Sequence, residues 1–212
     1  MSNCATGEFS WSRFYALRKE IRSAYPSVYS LKVKKKILDV VIEELKNEDK
    51  ILDVGASNRN LGEKIVAKVP SATYKTMDID REQPHDYYSL DDISESFDMV
   101  ILSEVIEHLE FSKGISILGR LYGLLKNGGK IIVSTPNLFH PHRYWDSDHK
   151  TPYRYDEISG ALLSVGFTVK NIYRVYNDQI FRKLFRIHIA SYLYKYLDID
   201  FAKSIIVVAV KK

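Results

Sequence analysis

Two carboxylates stand where the residue pattern places the ends of strands. Asp53 lies in Ile51-Leu52-Asp53-Val54, directly before Gly55 and Ala56, and Asp78 comes twenty-five positions later in Met77-Asp78-Ile79-Asp80. A dinucleotide-binding turn needs G-x-G-x-x-G so that backbone can approach a pyrophosphate. Here Ser57 and Arg59 occupy the places of further glycines, and an acidic group beside the turn repels phosphate and suits a cation or an amine. Asp78 can accept from both hydroxyls of a ribose, or it can cap a turn with Asp80. A second constellation is Ser103, Glu104, Glu107 and His108, joined downstream by His140, His142 and the run Asp148-His149-Lys150-Thr151-Pro152. Glu104 and His108 are four apart, so on one helical turn they face the same way, as metal-ligand pairs do. The histidines are also candidate bases, His149 first and His108 next, although a lone histidine is commonly a surface or packing residue.

Alternating strand and helix patterns hold these residues in place. Strands are predicted over 51–54, 73–77, 87–90, 98–102 and 130–134, and helices near 60–69, 112–125 and 155–165. That alternation argues for an α/β fold with a largely parallel sheet covered on both faces. Upstream, residues 1–49 read as a helical extension. Ser10 or Ser12 caps a helix that runs to about Tyr25, Pro26 breaks it, and 30–46 carries apolar residues at helical spacing. Residues 50–212 form the second unit, in which 167–175 and 204–210 read as strands. Between these two strands lies a helical insertion over 178–198, capped by Asn177 or Asp178. Its mixture of aromatic and basic residues suits a lid, a surface for anionic lipid or nucleic acid, a dimer contact, or a helix packed on the sheet edge with its basic face in water. The loop from Thr135 to Tyr153 is long for such a connection, which marks it as functional. Its aromatics Tyr144, Trp145 and Tyr153, with Tyr155 just beyond, suit a sugar or ring.

Taken in order, Ile51-Leu52-Asp53-Val54-Gly55, Met77-Asp78-Ile79-Asp80, Ser96-Phe97-Asp98-Met99-Val100, Ser103-Glu104-Val105-Ile106-Glu107-His108-Leu109, Leu125-Lys126-Asn127-Gly128-Gly129 and Ser134-Thr135-Pro136-Asn137 resemble the motifs of class I S-adenosylmethionine-dependent methyltransferases. The resemblance covers roughly residues 50–170 and the last strand. It implies a Rossmann-like seven-stranded sheet, mostly parallel with an antiparallel last strand, and S-adenosylmethionine as cofactor. By resemblance, Asp53, Gly55 and Ala56 line the methionine part, with Ser57 and Arg59 beside them. Asp78 takes the ribose and Ile79 the adenine face, Leu90 and Asp91 sit by the adenine edge, and Ser103 and Glu104 lie near the methyl sulfur. Arg59 reads either as a partner for the donor's carboxylate or as a solvent-facing residue at a helix start.

The expected reaction is methyl transfer to an oxygen or nitrogen of a small-molecule acceptor, such as a sugar or another biosynthetic intermediate, without a metal. One alternative is a metal-assisted RNA ribose 2′-O-methyltransferase using Glu104, Glu107, His108 and His149, a cluster similar to that of small-RNA and ubiquinone-pathway enzymes. The other is a non-catalytic binding module. Composition agrees with an ordinary globular protein: 212 residues, 45% hydrophobic, 27% charged, net charge +4. The one cysteine, Cys4, excludes a disulfide framework and fits a reducing compartment. No apolar run approaches the ~20 residues that span a bilayer, and the N-terminus lacks the layout of a secretory signal. The chain is therefore expected in the cytoplasm, with nucleic acid a lesser partner and oligomerisation open. Basic residues concentrate in Lys32-Val33-Lys34-Lys35-Lys36 and after Tyr173, where eight Lys or Arg face three Asp.

Overall fold

The computed structural model describes residues 9–142, 146–176 and 179–212; Cys4, Tyr144, Trp145, Asn177 and Asp178 lie outside them. Seven strands form one sheet: β1 (Lys32–Lys34), β2 (Lys50–Val54), β3 (Thr73–Met77), β4 (Phe97–Ser103), β5 (Leu125–Pro136), β6 (Phe167–Val175) and β7 (Ser204–Lys211), in the order β1-β6-β7-β5-β4-β2-β3. The pairs β1·β6, β2·β3, β2·β4 and β4·β5 are parallel, and β7 runs antiparallel to both its neighbours, β5 and β6. The expected sheet and its reversed last strand are thus present.

Alternate residues of the central strands feed two cores, as strand geometry requires. Leu52, Val100, Leu102, Ile131 and Val133 pack on one side with Phe14 of α1 (Trp11–Ala24), Leu118 of α4 (Phe111–Leu124) and Ile158 of α5 (Tyr155–Ser164). Ile51, Met99, Ile101 and Ile132 pack on the other with Val40 and Val41 of α2 (Ile37–Glu44) and Ile65 of α3 (Asn60–Lys68). Ser10 caps α1 by accepting from the Arg13 N–H at 3.4 Å. Arg18, itself buried, holds α1 to α5 by donating to Asp156 at 3.1 Å.

Two expected elements differ. The helix predicted over 30–46 begins only at Ile37, where Asp39 accepts from the Lys36 N–H at 3.1 Å. The basic run before it is the edge strand β1, with Lys32 opposite Tyr173 and Lys34 opposite Val175. The open edge of β6 supplies backbone partners that a helical pattern cannot reveal. The strand predicted over 87–90 is one bridge, Tyr87 to Met77, succeeded by a 3-10 turn at Leu90–Asp92 that Ser89 caps. Seven strands result in both readings, but β1 takes the place given to 87–90.

The chain between β6 and β7 forms α6 (Ile180–Leu184), a π turn (Phe185–Ile189) and α7 (Ser191–Tyr196), none with a buried residue. It is therefore not a helix packed by its apolar side on the sheet edge. Among the described residues no helix is long and apolar enough to cross a membrane.

Candidate active site

From β2 the sheet grows one way to β3 and the other way to β4, so the crevice at their carboxyl ends is the topological switch point where α/β sheets hold ligands. A cleft of about 570 Å³ opens there. The turn after β2 forms its floor. Gly55 has φ +76°, its N–H donates to the Met77 carbonyl at 2.8 Å, and an added Cβ would lie 2.2 Å from Val105 Cγ2. Both the backbone angle and the contact exclude a side chain. Gly55→Ala is expected to cost on the order of 2 kcal/mol of stability, read from urea unfolding; an unchanged midpoint would show that Val105 yields freely.

Ser57 and Arg59 adopt left-handed backbone as well, with φ +46° and +61°. Such conformations cost non-glycine residues about 1 kcal/mol or more unless their surroundings hold them. The Ser57 N–H donates to Asp78 Oδ2 at 2.9 Å, and Arg59 donates to the Pro84 carbonyl at 3.0 Å with Asp86 Oδ2 at 3.5 Å. Neither residue lines the cleft. The Arg59 guanidinium is thus engaged by the chain beyond β3.

Asp53 and Ala56 line the cleft with Gly55. Asp53 is 3% exposed, and the Tyr74 phenol donates to its carboxylate. Burial pushes its pKa up to about 6, against the hydrogen bond from Tyr74 and with help from the charge of Asp78. Room for the phenol depends on Gly62 of α3, where a Cβ would fall 2.2 Å from the Tyr74 ring. Tyr74 and Gly62 escaped the sequence reading because their partnership with Asp53 spans two elements. Asp78 accepts one backbone N–H on each oxygen, from Ser57 at 2.9 Å and Asp80 at 3.0 Å, which matches a turn cap. A carboxylate oxygen has two lone pairs, so each can still accept a hydroxyl. Ile79 is 82% exposed beside it, Leu90 is buried, and Asp91 pairs with Arg120 of α4.

Across the cleft, Ser103 ends β4, its hydroxyl 3.0 Å from that of Ser134. Glu104 takes φ +53°, which turns its carboxylate into the cleft, where Ser134 donates to it at 2.8 Å. It is open to solvent through the mouth, yet the walls displace much of its bulk water and draw its pKa upward. Lys35, Lys36, Lys64 and Lys203 line the same space. The cleft therefore presents acids and ammonium groups together, a match for a zwitterion. Of these lysines, only Lys64 lay outside the two basic concentrations of the sequence.

The left-handed residue at 104 also breaks the helical turn expected to align Glu104 with His108. The chain continues as a 3-10 turn, Ile106–His108, and the residue that joins His108 is Glu107. Ligand atoms of Glu107, His108 and His149 lie within 4.8 Å of one another, close enough to hold a divalent cation or to pass a proton. The two imidazole rings are 4.9 Å apart. His108 Nδ1 is 3.1 Å from Asp148 and His149 Nε2 is 3.9 Å from Asp146. Lys150 and Thr151 both donate backbone N–H to the Glu107 carbonyl, at 2.8 and 3.0 Å, which pins the His149 loop over the turn. Glu107 is 1% exposed; the Thr135 hydroxyl approaches it, but neither carboxylate oxygen has a well-directed hydrogen bond. Burial first, then the charge of Glu104, raises its pKa to about 8. His140 and His142 do not belong to this ligand group; the His140 ring packs against those of His142 and Phe201.

This fold and cleft define the class. Residues 25–172, more than half of the chain, match the methyltransferase-domain family. The chain belongs to that family, and it is an S-adenosylmethionine-dependent methyltransferase of class I fold. It is similar to a crystal structure of an S-adenosylmethionine-dependent methyltransferase from Archaeoglobus fulgidus, at 17% identity over 93% of this chain and 94% of that one, with a TM-score of 0.62. A methyltransferase from Mesorhizobium loti matches at 13% identity over 82% and 96% of the two chains, TM-score 0.58. The N-methyltransferase NodS from Bradyrhizobium japonicum matches at 12% identity over 82% and 92%, TM-score 0.55. No curated protein matches the chain.

Proposed function

We propose that the protein transfers a methyl group from S-adenosylmethionine to an oxygen or nitrogen of a small-molecule acceptor, such as a sugar or other biosynthetic intermediate. The observation that carries the reading is the mixed-sign cleft at the strand switch, which suits a cofactor with an amino-acid end and no phosphate. Asp53 takes the amine of that end and the cleft lysines its carboxylate. Gly55 and Ala56 let backbone approach it, and Ser57 fixes Asp78, whose spare lone pairs take the ribose hydroxyls. Ile79 and Leu90 flank the base, Asp91 bounds its edge, and Ser103 and Glu104 face the sulfur. Arg59 braces the loop beyond β3 from outside.

When bound, the cofactor supplies a methyl group already activated on a sulfonium. The chain itself has to align the acceptor and remove its proton. His149, oriented by Asp146 and set against Glu107 and His108, is the base. One cysteine in 212 residues supports a reducing setting, the cytoplasm.

Asp53→Asn tests the site. Donor affinity measured by calorimetry is expected to fall about 10- to 100-fold, the loss of a charge-assisted hydrogen bond. Wild-type affinity should also weaken as the pH drops through about 6, where Asp53 gains its proton. Equal affinity in variant and wild type, with no weakening at acid pH, would remove Asp53 from the donor site. Conversion of donor to its demethylated product across a panel of hydroxyl and amine acceptors then reports turnover; donor binding without turnover would favour a binding module.

A further inference from the structure

Residues 180–197 contain nine of the thirteen large apolar side chains exposed among the described residues, including Phe181, Tyr192 and Tyr196 at 84%, 81% and 86%. They recur as neighbours or at intervals of three or four residues, which on a helix makes a stripe. That stripe faces outward. The opposite side is fastened to the body of the protein. The Tyr29 hydroxyl lies 2.9 and 2.8 Å from the carbonyls of Tyr194 and Ile199 and shares its one proton between them, and the Tyr194 ring packs 4.8 Å from that of Phe201. Just beyond the segment, buried Asp200 accepts from Tyr176 at 2.6 Å and Arg174 at 3.1 Å. An amphipathic element is thus held in a fixed place with its apolar face in water.

Its charge is of one sign. Residues 179–197 contain four Lys or Arg and no Asp or Glu, with Asp198 just beyond. Arg182 is exposed and Lys183 half-buried, whereas Arg186 lies over the Phe201 ring and Lys195 over that of Tyr29, on the side toward the body. Exposed apolar residues beside the cations Arg182 and Lys183 complement a surface that is negative outside and oily beneath. We propose that residues 180–197 dock the protein on an anionic lipid surface, with the apolar stripe entering the headgroup boundary and Arg182 and Lys183 meeting lipid phosphates. The segment lies on such a surface and does not cross it, since no described helix is long enough to span. A two-fold contact with a second copy would set this all-basic segment against itself. A single-stranded nucleic acid would satisfy the cations but stack on aromatics only, leaving Ile180, Leu184, Ile189, Leu193 and Leu197 in water. The segment leaves β6 after Val175 and re-enters the sheet at Ser204, both of which line the cleft, so docking brings the cleft end of the sheet toward the membrane.

Flotation of the full chain with vesicles tests this without donor or acceptor, so its outcome is independent of the methyl-transfer reading. The protein is expected to float with phosphatidylcholine vesicles containing phosphatidylglycerol, at least about tenfold more strongly than with phosphatidylcholine alone, and less as salt is raised. A Phe181→Ser, Tyr196→Ser variant should bind those vesicles about tenfold more weakly, as should an Arg182→Gln, Lys183→Gln variant. Phe181, Tyr196 and Arg182 are exposed and Lys183 is half-buried without a role in the core, so circular dichroism should not change. No flotation, or equal flotation by the variants, overturns the proposal. So does a wild-type dimer that Phe181→Ser dissociates, or salt-sensitive binding of single-stranded RNA, when either occurs without vesicle binding.

Discussion

Glu107→Gln is expected to flatten the pH dependence of stability. In the folded protein Glu107 keeps its proton to about pH 8, whereas in the unfolded chain it releases it near the ordinary value of 4.5. A folded-state pKa raised above the unfolded value stabilises the fold below the unfolded pKa, and the benefit is lost as pH rises through the folded one. Between those limits the slope is about 1.4 kcal/mol per pH unit, on the order of 4 kcal/mol in all. The groups around it are Glu104 and Asp146, whose negative charges raise the pKa further, Tyr153, the neutral Thr135 hydroxyl, and the rings of His108 and His149. Glutamine keeps the volume and removes the titration. The amide brings its own unsatisfied polar atoms, a cost of about 1–3 kcal/mol at every pH, so the variant should be less stable than wild type at pH 5 and more stable above pH 8. Urea midpoints across that range decide the matter, and parallel curves for the two proteins would show that Glu107 does not hold its proton in the fold.

The second large effect is on turnover. His149→Ala is expected to lower kcat by about 100- to 1000-fold, the usual contribution of a positioned base, while calorimetric donor affinity stays within about threefold. A loss confined to kcat marks a group that acts on the reacting proton and not on donor binding. An unchanged kcat would remove His149 from the chemistry. Exhaustive chelation separates the two roles open to the cluster. Full activity after chelation leaves Glu107, His108 and His149 to acid–base work, whereas loss of activity restored by a divalent cation would make them ligands, with Glu107 ionised on binding.

Together these effects place the cluster and the buried Asp53 on the same footing. Each holds an acid where burial works against its charge, and such perturbed groups gather where a protein does chemistry. Asp53→Asn should accordingly stabilise the fold above pH 6 while weakening the donor, because the amide has no charge to desolvate. Stability and function oppose each other at that position.

Much of this arrangement was legible in the chain. The β-branched and aliphatic runs at β2, β4, β5 and β7 are buried on both faces and announce central strands wherever they pair. Asp53 with Gly55 announced a turn for a ligand without phosphate, because charge and backbone freedom are properties of single residues. Partnership is not such a property. Lys32-Val33-Lys34 becomes β1 only because β6, about 140 residues later, leaves an edge to pair with. Glu107 rather than Glu104 joins the histidines because a single left-handed residue redirects the chain after β4.

The amphipathic pattern of 180–197 was equally plain, but not the direction of its apolar face, since periodicity states that a helix has two sides and not which one meets water. The sequence by itself determined the fold class, the order of the strand ends and the acids upon them, all set by local composition and spacing. Only the tertiary structure decided which of those acids are buried, which lysines share the cleft with them, and that the apolar stripe after β6 is left uncovered. Those outcomes depend on contacts between residues far apart in the chain, and desolvation, ion pairing and exposure exist only once such contacts are made.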